Sequence, residues 1–125
     1  MDRSGKLSET EYEIMEVLWN AGEPMSAAQL MTYFSTCRGR QWKAQTLSTF
    51  LARLAEKGMI SSRREGRVPY YTPLQTPEEY RKKSAQGILD TLYGGSIRNF
   101  FAALYGDAPL SAADREELRQ WLDEQ

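Results

Sequence analysis

Residues 42–58 read WKAQTLSTFLARLAEKG, and residues 59–72 continue MISSRREGRVPYYT. In the first stretch Leu47, Phe50, Leu51 and Leu54 recur at i, i+3, i+4 and i+7, which places four apolar side chains on one face of a helix. Lys43 stands at the cap position, a poor cap chemically, while Trp42 and Leu47 hold the two positions of a hydrophobic staple. Gly58 ends the helix. In the second stretch, Ile60-Ser61-Ser62-Arg63-Arg64 and Arg67-Val68-Pro69-Tyr70-Tyr71-Thr72 flank Glu65-Gly66, the pattern of two short strands about a glycine turn. Pro69 has no N–H to give to a ladder, so the second strand is expected at an edge with that position toward solvent.

Upstream, Ser8 and Glu11 have the spacing of a capping box, which starts a helix at about Glu9. Ile14, Met15, Val17, Leu18 and Trp19 supply its apolar face, and Gly22 with Pro24 stops it. Ser26 and Gln29 repeat the box for a second helix, with Leu30, Met31 and Phe34 as its buried stripe. Three helices followed by a two-stranded hairpin is the order of a winged helix-turn-helix, a mainly α fold with a small antiparallel β-hairpin. This domain is expected to span residues 1–74.

From residue 75 onward Thr76 serves as a cap and Pro77 suits the first turn of a new helix. Three helical stretches are expected, Pro77 to Tyr93, Ser96 to Tyr105 and Ser111 to Glu124, broken by Gly94-Gly95 and by residues 106–109. About fifty residues cannot close a core alone. Yet they carry Ile88, Leu89, Leu92, Tyr93, Ile97, Phe100, Phe101, Leu104, Leu118, Trp121 and Leu122. The missing burial is expected from the same segment of a second chain, which makes residues 75–125 a three-helix dimerisation segment and the protein a homodimer; the alternative is a monomer in which this segment folds back on its own N-terminal domain.

Composition narrows the chemistry. Cys37 is the only cysteine and histidine is absent, which removes disulfide frameworks, zinc sites built on Cys and His, and His-dependent catalytic triads. Acids and tyrosines are present without a clustered acid, base or phosphate-cradling glycine loop, so neither catalysis nor a cofactor is expected. No apolar run approaches the roughly 20 residues of a membrane span, and the N-terminus lacks the apolar stretch of a secretory signal. Membrane insertion is therefore not expected, and a cytoplasmic location is.

The net charge of −1 conceals a strong local excess. Residues 38–67 hold Arg38, Arg40, Lys43, Arg53, Lys57, Arg63, Arg64 and Arg67 against Glu56 and Glu65, a net of +6. On a helical wheel, the face opposite Leu47, Phe50, Leu51 and Leu54 carries Trp42, Gln45, Ser48, Thr49, Ala52 and Arg53, with Thr46 at its edge. Small hydroxyls permit close approach to a duplex, and a glutamine amide has the paired donor and acceptor that suit adenine. Arg53 is suited to phosphate or guanine, or else to an ion pair with Glu56. Arg38, Arg40 and Lys43 precede the helix N-terminus, whose free N–H groups attract phosphate. Arg63, Arg64 and Arg67 crowd a hairpin tip, where they repel one another unless phosphates or acids meet them. The expected partner is duplex DNA.

LSETEYEIMEVLW at the start, QTLSTFLARLAEKGMI, the GRVPYY hairpin and LYGG in the second half resemble the penicillinase-repressor (BlaI/MecI/CopY) family of bacterial regulators over nearly the whole chain. Its T-x-x-T-x-L-x-R-L-x-x-K-G order is matched by Thr46, Thr49, Leu51, Arg53, Leu54, Lys57 and Gly58. The resemblance implies a winged-helix dimer that blocks transcription at a palindromic operator, with groove contacts at Gln45, Thr46, Ser48 and Thr49. It also implies a membrane-bound sensor protease as a partner for some members, which are cut between asparagine and phenylalanine in the dimerisation segment. The aligned pair here is Ala103-Leu104, and Asn99-Phe100 lies one helical turn earlier. The paired C-terminal cysteines of copper-responsive members are replaced by RQWLDEQ. The rival expectation is a winged helix that binds protein, with Trp42 and the C-terminal helices as docking surfaces.

Overall fold

The computed structural model describes residues 6–106 and 109–125. In chain order the elements are α1 (Glu9–Ala21), β1 (Met25–Ser26), α2 (Ala27–Cys37), α3 (Ala44–Glu56), β2 (Ile60–Glu65), β3 (Val68–Pro73), α4 (Pro77–Tyr93), α5 (Ile97–Tyr105) and α6 (Ala112–Asp123). Helix starts follow local chemistry. Ser8 Oγ accepts from Glu11 N while Glu11 Oε1 accepts from Ser8 N, and Ser26 and Gln29 repeat the exchange at α2. Thr76 and Glu79 do the same at α4. These boxes satisfy backbone donors that a helix end otherwise leaves orphaned.

α1, α2 and α3 with a small sheet form a winged helix whose core is Ile14, Met15, Val17, Leu18, Leu30, Phe34, Leu47, Leu51, Leu54, Met59 and Ile60. All four apolar positions of the α3 stripe face inward, although Phe50 is half-buried. The hairpin turns on Gly66 and Arg67, with Glu65 opposite Val68. Gly66 has φ +66°, and no described non-glycine residue has positive φ. That combination belongs to a type II′ turn, whose twist matches its strands and whose first central position favours glycine.

The sheet corrects one expectation. β3 is the middle strand of three, in the order β1-β3-β2, and not an edge. β1 pairs with it antiparallel through Met25↔Tyr71 and Ser26↔Tyr70 only. Two residues inside the α2 capping signal carry no strand pattern of their own, which hid β1. Pro69 is tolerated because the chain beyond Ser26 has already turned into α2, so no ladder on that side needs its N–H.

The chain divides into two compact units, the first ending at Ser84 and the second starting at Ala85. The expected boundary at Leu74 lies ten residues earlier. Tyr80 accounts for the difference: its ring is 5.9 Å from Tyr12 and 6.2 Å from Trp19, and its hydroxyl accepts from Leu7 N at 3.3 Å. Trp19 Nε1 donates to Gln75 O at 2.7 Å. The connector and the first turns of α4 are thereby packed on α1.

In the second unit Tyr93, Phe100, Phe101 and Tyr105 make a chain of ring contacts with centroids 5.5 to 6.3 Å apart. None of its described residues is buried. Leu92 and Ile97 are 69% and 62% exposed, and Ile88, Leu104, Trp121 and Leu122 are exposed as well. Among the described residues no helix is long and apolar enough to cross a membrane.

Candidate nucleic-acid interface

The polar face of α3 is assembled as the wheel predicts. Gln45, Thr46, Ser48, Thr49, Ala52 and Arg53 are exposed, while Leu47, Leu51 and Leu54 on the other side are buried. Thr49 Oγ1 donates to Gln45 O at 3.0 Å. Its proton is thereby used inside the helix, and its lone pairs face outward as acceptors.

The α3 N-terminus has no side-chain cap at Lys43 and no acidic residue in its first turn. α1, by contrast, has Ser8 at its cap and Glu9 and Glu11 in its first turn. The uncapped end leaves backbone donors and the positive end of the helix dipole for an outside anion. Lys43 is exposed beside it.

Trp42 departs from the expected groove face. It precedes the helix, with Lys43 in extended geometry, and its ring turns inward to Phe34 at 4.5 Å and Phe50 at 5.8 Å. A residue before the cap does not follow the helical wheel, and burying an indole against two rings outweighs leaving it in water.

The basic residues fall into two groups. Lys43, Arg53, Arg63, Arg64 and Arg67 are exposed and make no ion pair among the described residues. The pairing of Arg53 with Glu56 that the sequence allowed is not formed. Arg38 and Arg40 are engaged instead. Arg40 Nη2 lies 2.7 Å from Glu13 Oε1, Arg38 Nη1 lies 3.7 Å from Glu13 Oε2, and the Arg40 guanidinium sits 5.7 Å from the Trp42 ring centre. The turn between α2 and α3 is thus tied to α1, and two charges counted toward the basic surface are partly neutralised. Glu13 was not legible as their partner, because it lies 27 residues away from Arg40 in the chain.

On β2 the side chains alternate faces, so Arg64 shares a face with Ile60, which is buried, and Arg63 lies on the other. Arg67 occupies the turn. The three guanidiniums therefore surround the tip and do not form one flat patch.

Further from this face, Glu11 is 2% exposed and its carboxylate meets Lys57 Nζ at 2.8 Å. Burial alone pushes the Glu11 carboxyl up, but hydrogen bonds from Lys57 and Ser8 together with the Lys57 charge outweigh it and hold the group below its ordinary value. The capping spacing announced Glu11; nothing local announced Lys57. Cys37 is exposed at the end of α2. Ala103 and Leu104 are exposed within α5, and Asn99 stands in its first turn.

The model of the penicillinase repressor family matches residues 7–124. A penicillinase repressor of Bacillus licheniformis is 27% identical over 124 residues, 99% of this chain and 94% of that protein. The methicillin resistance regulatory protein MecI of Mammaliicoccus sciuri is 22% identical over 127 residues, 98% of this chain and 97% of that protein. The solution structure of the DNA binding domain of the repressor BlaI superposes with a TM-score of 0.53 at 30% identity, covering 64% of this chain and 94% of that domain. The family model thus spans nearly the whole of a chain that carries a winged helix, and the protein belongs to the penicillinase repressor family.

Proposed function

We propose that two copies of this chain bind a palindromic DNA operator and repress transcription from it. The winged helix grips one half-site, and the segment from residue 75 onward pairs the copies. The observation that carries this is the division of labour on α3: its apolar face is consumed by the core, while Gln45, Thr46, Ser48, Thr49 and Arg53 stand outside it beside basic residues that have no ion pair among the described residues. A solvated face needs no such set of small hydroxyls, an amide and unneutralised cations flanking an uncapped helix end.

Gln45, Thr46, Ser48 and Thr49 are proposed to read bases, with Lys43, Arg53, Arg63, Arg64 and Arg67 on phosphates and Arg38 and Arg40 in support. The exposed apolar side chains of α4, α5 and α6 supply the pairing surface. On this reading the protein works in the cytoplasm. A membrane-bound sensor protease is proposed to lift repression by cutting at Ala103-Leu104, which severs the pairing segment within α5.

The test is fluorescence anisotropy of the full chain on a labelled duplex at several salt concentrations. A duplex selected by the protein from a randomised pool should bind with log affinity falling steeply against log salt, because phosphate neutralisation releases counterions. A flat response, or no duplex enriched from the pool, removes the proposal in favour of a protein-binding winged helix.

A further inference from the structure

Away from the polar face of α3, the ion pair between buried Glu11 and half-buried Lys57 joins two pieces of chain that are remote in sequence. Lys57 is the C-cap residue of α3, and its Nζ donates both to Glu11 Oε1 and to Lys6 O at 2.8 Å each. Glu11 Oε1 also accepts from Ser8 N at 2.7 Å, so one oxygen holds the α1 cap and the end of α3 together. Glu11 Oε2 is buried with no hydrogen-bond partner among the described residues. As a stability device this is a poor arrangement. Desolvating a carboxylate is expensive, an orphaned oxygen adds to the penalty, and apolar side chains of similar size often do as well or better. Its distinguishing property is direction. Apolar contacts let two helices slide, whereas a charged hydrogen bond with a fixed acceptor pins one helix end.

We propose that Glu11 and Lys57 are positioning residues for DNA reading: they fix the C-terminal end of α3 against the start of α1 and so set the pose of Gln45, Thr46, Ser48 and Thr49 in the groove. This rests on the DNA-binding proposal above. Neither residue touches DNA. Loss of the pair leaves phosphate contacts largely intact, since those tolerate small rotations, and degrades base contacts, which do not.

The decisive variant is the double change Glu11→Gln with Lys57→Met in the full chain. Gln keeps an acceptor for Ser8 N, Met keeps most of the unbranched stem of Lys57 without its ammonium, and no charge is left stranded. Binding is measured by anisotropy on a duplex selected by the wild-type protein and on a scrambled duplex of equal length and composition, with folding checked by circular dichroism. The expected result is a folded protein that binds the scrambled duplex within about twofold of wild type but the selected duplex about tenfold more weakly, a loss comparable to one mismatched base pair. Glu11→Asp, which retains charge and capping but shortens the reach, gives a second reading should the double variant unfold, and an intermediate loss of discrimination is expected.

Wild-type discrimination in a folded double variant overturns the proposal, as do equal losses on both duplexes. If the double variant unfolds, wild-type discrimination in Glu11→Asp overturns it. A wild-type protein that cannot tell the two duplexes apart overturns the DNA-binding proposal along with it, so the two failures are distinguishable.

Discussion

Arg40 Nη2 stands 2.7 Å from Glu13 Oε1, tying the turn that leads into α3 to the middle of α1. The same carboxylate lies 3.7 Å from Arg38 through its other oxygen. Both arginines therefore reach a phosphate only in competition with Glu13.

Removing that competitor should strengthen DNA binding. Glu13→Gln is expected to raise affinity for duplexes of any sequence several-fold and to steepen the plot of log affinity against log salt by about one unit. Stability should change by no more than about 1 kcal/mol, since the pair is partly exposed. A weaker, salt-insensitive complex would mean that ordering the turn matters more than its charge.

Thr49→Val removes the hydroxyl while keeping the shape. Thr49 is exposed, so thermal stability should shift by no more than about 0.5 kcal/mol. Base preference at one operator position should change by about 1–3 kcal/mol, measured by competition among duplexes differing at single positions. An unchanged preference would show that this edge of α3 does not read bases.

The hairpin should behave differently. Arg63→Ala with Arg64→Ala is expected to weaken selected and scrambled duplexes by similar factors and to lower the salt slope by about one for each phosphate left without its arginine. A pure change in sequence preference would reverse the division between wing and helix.

Acid should destabilise the winged helix through Glu11. Its carboxyl is held below the ordinary glutamate value, so the contribution is fully present above the unfolded value of about 4.3 and is lost as pH falls through the lower native value. At pH 7 Glu11→Gln should cost about 1–3 kcal/mol, because it leaves Lys57 without its counter-charge. As pH falls through that lower native value, wild type and variant should converge in urea titrations; a constant gap would assign the loss to packing.

What the sequence made legible is what depends on neighbours along the chain. The starts of α1, α2 and α4 rest on side chains three residues apart, Ser8 with Glu11, Ser26 with Gln29 and Thr76 with Glu79. The polar face of α3 rests on a periodicity that needs no partner to be recognised. The features that escaped depend on residues distant in sequence: Met25 pairing with Tyr71, Glu13 with Arg40, Glu11 with Lys57, and Tyr80 packing on Tyr12. Trp42 escaped for another reason, since it precedes its helix and its direction is set by Phe34 and Phe50. In the second unit the helices were legible, but no local spacing names an occupant for their exposed apolar side chains.

That occupant is proposed to be a second copy. Leu92→Asp or Ile97→Asp puts a charge on a side chain now more than half exposed, so a lone chain should fold as before. In a dimer the same charge would be buried unpaired, and sedimentation should report a monomer at concentrations where wild type is paired. Wild type sedimenting as a monomer would send these faces to a different partner.

Hydroxyl-radical footprinting of the full chain on a duplex selected from a randomised pool tests the central claim most directly. Two protected patches related by a twofold axis, with centres one helical turn or a whole multiple of about 34–36 Å apart, are expected. A single patch, or protection without symmetry, would contradict a paired winged helix reading a palindrome.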